Sequence, residues 1–105
     1  VTTLATELLS LDSTTGRERE AVDFVARWLV TRGWNVTLQE VEPGRSNVWA
    51  TRRGGGVTLS THLDTVPPFL PPRLDAGRLY GRGACDAKGI AAAMMTAAQR
   101  LAEAG

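Results

Sequence analysis

The only histidine of the chain, His62, shares the stretch 57–89 with Asp64, Asp86 and the only cysteine, Cys85. Imidazole and carboxylate together are typical zinc ligands. The stretch opens on Val57-Thr58-Leu59-Ser60 and runs into Thr61-His62-Leu63-Asp64-Thr65-Val66-Pro67. Residues i and i+2 of an extended segment point the same way, so His62 and Asp64 can stand side by side at a strand's end. Open α/β sheets usually hold their ligands there. A ligating imidazole needs a partner for its other ring N–H, and Asp64 is well placed to accept it. Asp86 comes next to the start of the last helix, where the helix dipole favours an exposed carboxylate by about 0.3–1 kcal/mol. Glycines 81, 83 and 89 would let the backbone turn tightly beside such a site.

Each of these residues has a plainer reading when taken alone. A single histidine after a strand is more often a surface or hydrogen-bonded group. Asp64 could be a turn former before Val66-Pro67, and Asp86 a helix N-cap. Gly81-Arg82-Gly83 matches neither the dinucleotide nor the P-loop fingerprint. Cys85, next to alanine, reads as a small core residue rather than a nucleophile. Lys88 reads as a solvated lysine in a first helical turn. The tryptophans at 28, 34 and 49 fall on periodic apolar positions and read as core.

The elements that must position these groups follow from periodicity. Residues 1–11 read as a helix with Leu4, Leu8 and Leu11 on one face, joined by Ala5 and Leu9. Turn formers occupy 12–16. A second helix carries a capping-box signature, with Thr15 as N-cap and Glu18 three positions later. Its stripe is Ala21, Phe24, Val25, Trp28 and Leu29, and Gly33 is its natural stop. From Trp34 the period becomes two, with Trp34, Val36, Leu38 and Val41 on one buried face. Residues 42–45 form a turn, 47–51 a second strand, and 52–56 a hairpin loop. Residues 57–61 should be the third and most buried strand. Prolines 67, 68, 71 and 72 forbid regular pairing in the loop that follows, and Leu79-Tyr80 reads as a short extended piece. Residues 87–104 make a helix with Ile90, Met94, Ala97, Ala98 and Leu101 on its packing side. This order indicates α/β layers. No internal repeat or low-complexity linker interrupts it.

Composition narrows the classes. With 105 residues the chain suits one small domain. Its hydrophobic share of 43% and charged share of 22% are those of an ordinary soluble protein. A net charge of +1, with arginines spread along the chain, leaves no footprint for nucleic acid or a membrane surface. No apolar run approaches the roughly 20 residues that cross a bilayer, and the polar, helically patterned first ten residues show no signal peptide. One cysteine excludes an internal disulfide, which suits a reducing cytoplasm.

Together, the 61–67 stretch and Gly81-Arg82-Gly83-Ala84-Cys85-Asp86-Ala87-Lys88-Gly89 closely resemble, in order and spacing, two signatures of a known family. It is the acetylornithine deacetylase / succinyl-diaminopimelate desuccinylase / aminoacylase / carboxypeptidase G family of dinuclear zinc hydrolases. Leu11-Asp12-Ser13-Thr14-Thr15-Gly16-Arg17-Glu18 and Arg45-Ser46-Asn47-Val48 look like its earlier segments. The resemblance implies a layered α-β-α, zinc-exopeptidase-like catalytic domain with a mixed sheet. Residues 1–105 would be its N-terminal part, and the lid or dimerisation domain would lie outside them. It implies two zinc ions, with cobalt a substitute. His62 would ligate one zinc, Asp64 would orient that histidine and count as catalytic, and Asp86 would bridge both metals. A cis Asp86–Ala87 peptide is implied too. The family's adjacent glutamate pair, which supplies the general base and a zinc ligand, would lie beyond Gly105, so the fragment alone is expected to be inactive.

The implied activity is hydrolysis of the amide bond of an N-acyl amino acid or small peptide by zinc-activated water, as in a deacetylase or desuccinylase. A carboxypeptidase or dipeptidase of the same family is the alternative. A non-catalytic binding or scaffold module with a vestigial metal site is the reading if the chain is complete. The implied partners are a small-molecule substrate and, through the lid, a second copy in a homodimer, with no nucleic acid and no membrane, in the cytoplasm.

Overall fold

The computed structural model describes residues 1–53 and 56–105. Helix α1 (Thr2–Leu9) buries Leu4, Ala5, Leu8 and Leu9. It ends two residues short of the expected Leu11. Asp12 Oδ1 accepts the Thr14 N–H at 3.0 Å and the Thr14 hydroxyl at 2.8 Å, a local turn that competes with another helical turn.

Helix α2 (Arg19–Val30) buries Ala21, Val22, Val25 and Leu29. The expected capping box does not form. Glu18 Oε1 instead accepts the Gly16 N–H at 2.8 Å and pairs with Arg45 Nη2 at 2.9 Å, and Thr15 does not cap the helix. The cause is Arg45, a partner fixed by the fold and invisible to a local pattern. Gly33 does end the helix. Its N–H bonds the Val30 carbonyl and the Trp34 N–H bonds that of Leu29, the two bonds of a Schellman motif around a residue at φ 88°.

Strands β1 (Asn35–Glu42) and β2 (Arg45–Thr51) form an antiparallel hairpin, in register from Asn35 opposite Thr51 to Glu40 opposite Ser46, with a one-residue shift before Glu42 opposite Arg45. Val36, Val48 and Ala50 pack inward with Trp28 and Trp34. The buried face of β1 is shorter than expected, because Leu38 and Val41 are exposed. Trp49 is not core. It lies between inward-facing Val48 and Ala50, so the pleat turns it outward and leaves it 56% exposed.

The hairpin loop expected at 52–56 falls partly on residues 54–55, which lie outside the described residues. Beyond it, 57–61 forms no strand among the described residues. Val57 is 89% and Leu59 53% exposed, the reverse of the burial expected. A strand needs a neighbour for its N–H and C=O groups, and among the described residues no strand pairs with this segment. Pairing begins further on, as a single parallel bridge between Thr14 and Thr65.

Strands β3 (Arg73–Asp75) and β4 (Arg78–Tyr80) make a second small antiparallel hairpin that includes the expected Leu79-Tyr80 piece. Among the described residues the two sheets are separate, with two strands each, so the chain mixes helices with small antiparallel sheets. Helix α3 (Lys88–Ala104) packs through Ala91, Ala92 and Met95, while Ile90 and Leu101 face outward. The packing face is thus rotated about one residue from the one expected, because small side chains let α3 approach α1 closely. Leu4, Ala5, Leu8, Val25, Leu29, Ala91, Ala92 and Met95 form the core. No described helix is long and apolar enough to cross a membrane.

Candidate metal centre

His62, Asp64 and Asp86 come together at the edge of this core. His62 Nε2 lies 2.9 Å from Asp86 Oδ1. On the other side of the ring, Nδ1 lies 3.0 Å from the Asp64 carbonyl oxygen and 3.2 Å from Asp64 Oδ1. Both ring nitrogens therefore face oxygen acceptors, an arrangement a doubly protonated imidazolium satisfies by donating from each. Burial opposes the charge on His62, but the Asp64 carbonyl and the Asp86 carboxylate outweigh it and raise the imidazole above its ordinary value.

The Asp86 side chain is 83% exposed, against 49% for His62. The site thus opens away from the core. Asp86 precedes α3 by two residues, and the Asp86–Ala87 peptide is cis. Gly89 is required by contact: a Cβ there would overlap the Ala84 carbonyl oxygen. The proline-rich loop is tied to the same region, since Arg82 donates its backbone N–H to Leu70 O and its Nε–H to Pro68 O.

The donor set suits zinc. One imidazole nitrogen and one carboxylate oxygen lie within about half an ångström of the separation kept by two tetrahedral ligands bound at roughly 2.0–2.2 Å. Among the described residues no third His, Cys, Asp or Glu joins a group able to hold a metal ion. Cys85 is exposed rather than core, and its side chain joins no such group.

Three contributors were not read from the sequence. Lys88, expected in solvent, is fully buried and donates from Nζ to the Leu11 carbonyl at 2.5 Å. Ser13 is fully buried and donates from Oγ to the Leu63 carbonyl at 2.6 Å. The Glu18–Arg45 pair anchors β2 to the start of α2. These partners are far away in sequence, so no local pattern reveals them. The only cue for Lys88 was its setting among residues too small to reach past it.

The comparisons with known proteins agree with these motifs. A sequence profile of Peptidase family M20/M25/M40 matches residues 58–105. A Peptidase M20 domain-containing protein of Schizosaccharomyces pombe is 38% identical over 93% of this chain and 26% of its own length. A probable carboxypeptidase of Aspergillus terreus is 38% identical over 92% of this chain and 26% of its own. A LysW-lysine/LysW-ornithine hydrolase of Sulfurisphaera tokodaii is 37% identical over 97% of this chain and 28% of its own. The chain thus spans about a quarter of the length of these curated relatives. Motif, matched segment and relatives converge, and the chain belongs to Peptidase family M20/M25/M40.

Proposed function

We propose that this chain supplies the first metal-holding residues of a zinc-dependent hydrolase that cleaves the amide bond of an N-acyl amino acid or small peptide. The observation that carries the reading is the 2.9 Å approach of His62 Nε2 to Asp86 Oδ1, with Nδ1 held from behind by Asp64. The names of its relatives, a probable carboxypeptidase and a LysW-lysine/LysW-ornithine hydrolase, support hydrolysis as the reaction class. In this reading residues 1–105 are the N-terminal part of a layered α-β-α catalytic domain. The exposed segment 57–61 pairs there with strands from the rest of the protein, and a lid domain outside this chain pairs two copies.

Zinc held by these residues would supply Lewis-acid chemistry, lowering the pKa of a bound water toward about 7. The chain's own residues prepare for it. Asp64 accepts the Nδ1–H, which fixes the tautomer that keeps the Nε2 lone pair on the Asp86 side, where metal would bind, and makes it more basic. Asp86 presents a carboxylate with Oδ1 toward His62 and would hold metal together with that imidazole. The open side of the site leaves room for substrate. The further acidic and histidine ligands, and the glutamate that moves the water's proton, come from outside this chain.

The test is hydrolysis of N-acetyl and N-succinyl amino acids and of dipeptides by the full-length protein, with and without chelator. Activity should vanish with chelator, return with zinc or cobalt, and fall more than about 100-fold in His62→Ala and in Asp86→Ala. Full turnover in either variant would reject the assignment. The 105-residue chain alone should bind zinc only weakly, because a zinc site usually takes three or more protein ligands. Tight binding of two zinc ions by calorimetry would contradict that division of the site.

A further inference from the structure

His62 and Asp86 sit on separate arms of the chain, and one short segment is bonded to both. The first arm runs through 61–66 and is held at Ser13 and Thr15. Ser13 Oγ donates to the Leu63 carbonyl at 2.6 Å, and the Ser13 carbonyl accepts the Thr65 N–H at 2.9 Å. The Thr15 N–H then bonds the Thr65 carbonyl at 3.1 Å. The second arm runs through 83–89 and is held at Leu11, whose carbonyl accepts the buried ammonium of Lys88. The arms also touch directly. A Cβ on Gly83 would lie 2.9 Å from Thr65 Cγ2 and 3.1 Å from Lys88 Cδ, so only glycine lets them close to this distance.

We propose that segment 11–15 is a common bracket for the two arms, and that Ser13 and Lys88 are positioning residues that set the His62–Asp86 separation for a divalent metal. Neither touches the site. Each bonds a backbone carbonyl across a long sequence separation and is fully buried. An ammonium at zero exposure, with one hydrogen-bond partner in the Leu11 carbonyl and the Asp12 carboxylate as its favourable charge, is a poor source of stability, since replacing buried charge by an apolar group of similar volume is often neutral or stabilising. Its role is better explained by the place at which it holds the turn before α3. This inference rests on the metal-centre reading above.

The two can be separated in one experiment on the 105-residue chain. As the only histidine, His62 gives unambiguous ring resonances in NMR, so zinc chloride can be titrated and even weak binding read as a dissociation constant. Thermal midpoints without metal are measured in parallel. In Lys88→Met, which keeps the stem against Gly83 and removes the ammonium, zinc affinity should fall about tenfold while the midpoint stays unchanged or rises. Ser13→Ala should weaken zinc by a similar factor. Leu29→Ala, a core change in α2, should lower the midpoint and leave the affinity of the folded chain unchanged.

If Lys88→Met and Ser13→Ala bind zinc like the parent, the bracket is wrong while the metal centre stands. If the affinity losses merely track the midpoint losses across all three variants, the two residues are structural only and the proposal fails. If zinc leaves the His62 resonances unmoved, or Asp86→Ala binds as well as the parent, the metal-centre reading fails and the bracket with it.

Discussion

The two sides of this chain behave differently. On one side α1, α2 and α3 close over Leu8, Leu29 and Ala92, and the β1–β2 hairpin seals the edge with Val36 and Val48. By contrast, Val57, Leu59, Ile90 and Leu101 face solvent, and 57–61 forms no strand among the described residues. His62 and Asp86 lie at the seam. Burial on the closed side fixes their backbones through Ser13 and Lys88, and exposure on the open side leaves their donor atoms accessible. A metal site needs both: rigid support behind the ligands and an approach in front.

The largest effect should come from breaking the closed side. Leu8 is fully buried, and Leu8→Ala should cost about 2–5 kcal/mol through lost transfer energy and the cavity left behind. Denaturant unfolding measures it. A cost below about 1 kcal/mol would mean the helices do not pack as described. Zinc binding by whatever fraction stays folded should be unchanged, which separates core from seam.

The next effect sharpens the seam itself through pH. The His62 imidazole is raised above its ordinary value of 6.5. In the metal-free chain, protonated His62 bridging Asp64 and Asp86 therefore adds stability that is fully present below pH 6.5 and lost as pH rises through the folded value. For zinc the dependence reverses, because the proton and the ion compete for Nε2. Below the folded value, zinc affinity should drop about tenfold per pH unit, or about 1.4 kcal/mol. Titrations of the His62 ring at several pH values check this, and an affinity independent of pH through that range would remove His62 as a ligand.

A smaller effect tests the tie between α2 and the hairpin. The Glu18 carboxyl is mostly buried, and burial alone would raise it. The Gly16 N–H and the Arg45 guanidinium outweigh that and hold it below its usual value of 4.5. Its contribution to stability is present above that value and disappears as pH falls through the lowered folded value. Because Arg45 is partly exposed, Arg45→Ala should cost only about 1 kcal/mol at neutral pH. The difference between parent and variant in chemical denaturation should shrink on acidification. A difference that persists at pH 2 would assign the loss to packing of the arginine stem instead.

Much of the closed side was legible in the sequence. Helix periodicity put Leu4, Leu8, Val25 and Leu29 in the core, and Gly33 marked the end of α2 because a left-handed residue is cheap there only for glycine. The i and i+2 rule paired His62 with Asp64, and in the structure the His62 ring contacts Asp64 through Nδ1 and Asp86 through Nε2. The misreadings share one cause. Thr15, Lys88, Cys85 and 57–61 are read from local character, whereas burial and pairing depend on neighbours distant in sequence: Thr65 bonds Thr15, Leu11 bonds Lys88, Cys85 is exposed, and no strand pairs with 57–61 among the described residues. Burial of a strand or a lysine is a property of its surroundings, and composition records only what a residue prefers.

The smallest predicted effect concerns Trp49, where sequence pattern and structure disagree most openly. A tryptophan at an alternating strand position invites a core assignment, and a buried Trp→Ala change costs about 3–5 kcal/mol. Here, however, Trp49 pairs across the hairpin with Thr37 on the outer face, while its neighbours Val48 and Ala50 turn inward. Trp49→Ala should therefore change the stability of this chain by less than about 0.5 kcal/mol. Its fluorescence should already be quenched readily by acrylamide in the folded state. A large loss of stability, or a shielded Trp49 signal, would require a one-residue slip of the β1–β2 register, because that slip exchanges the two faces of the hairpin. It would carry Val48 outward and break the packing between hairpin and core that divides the closed side from the open one.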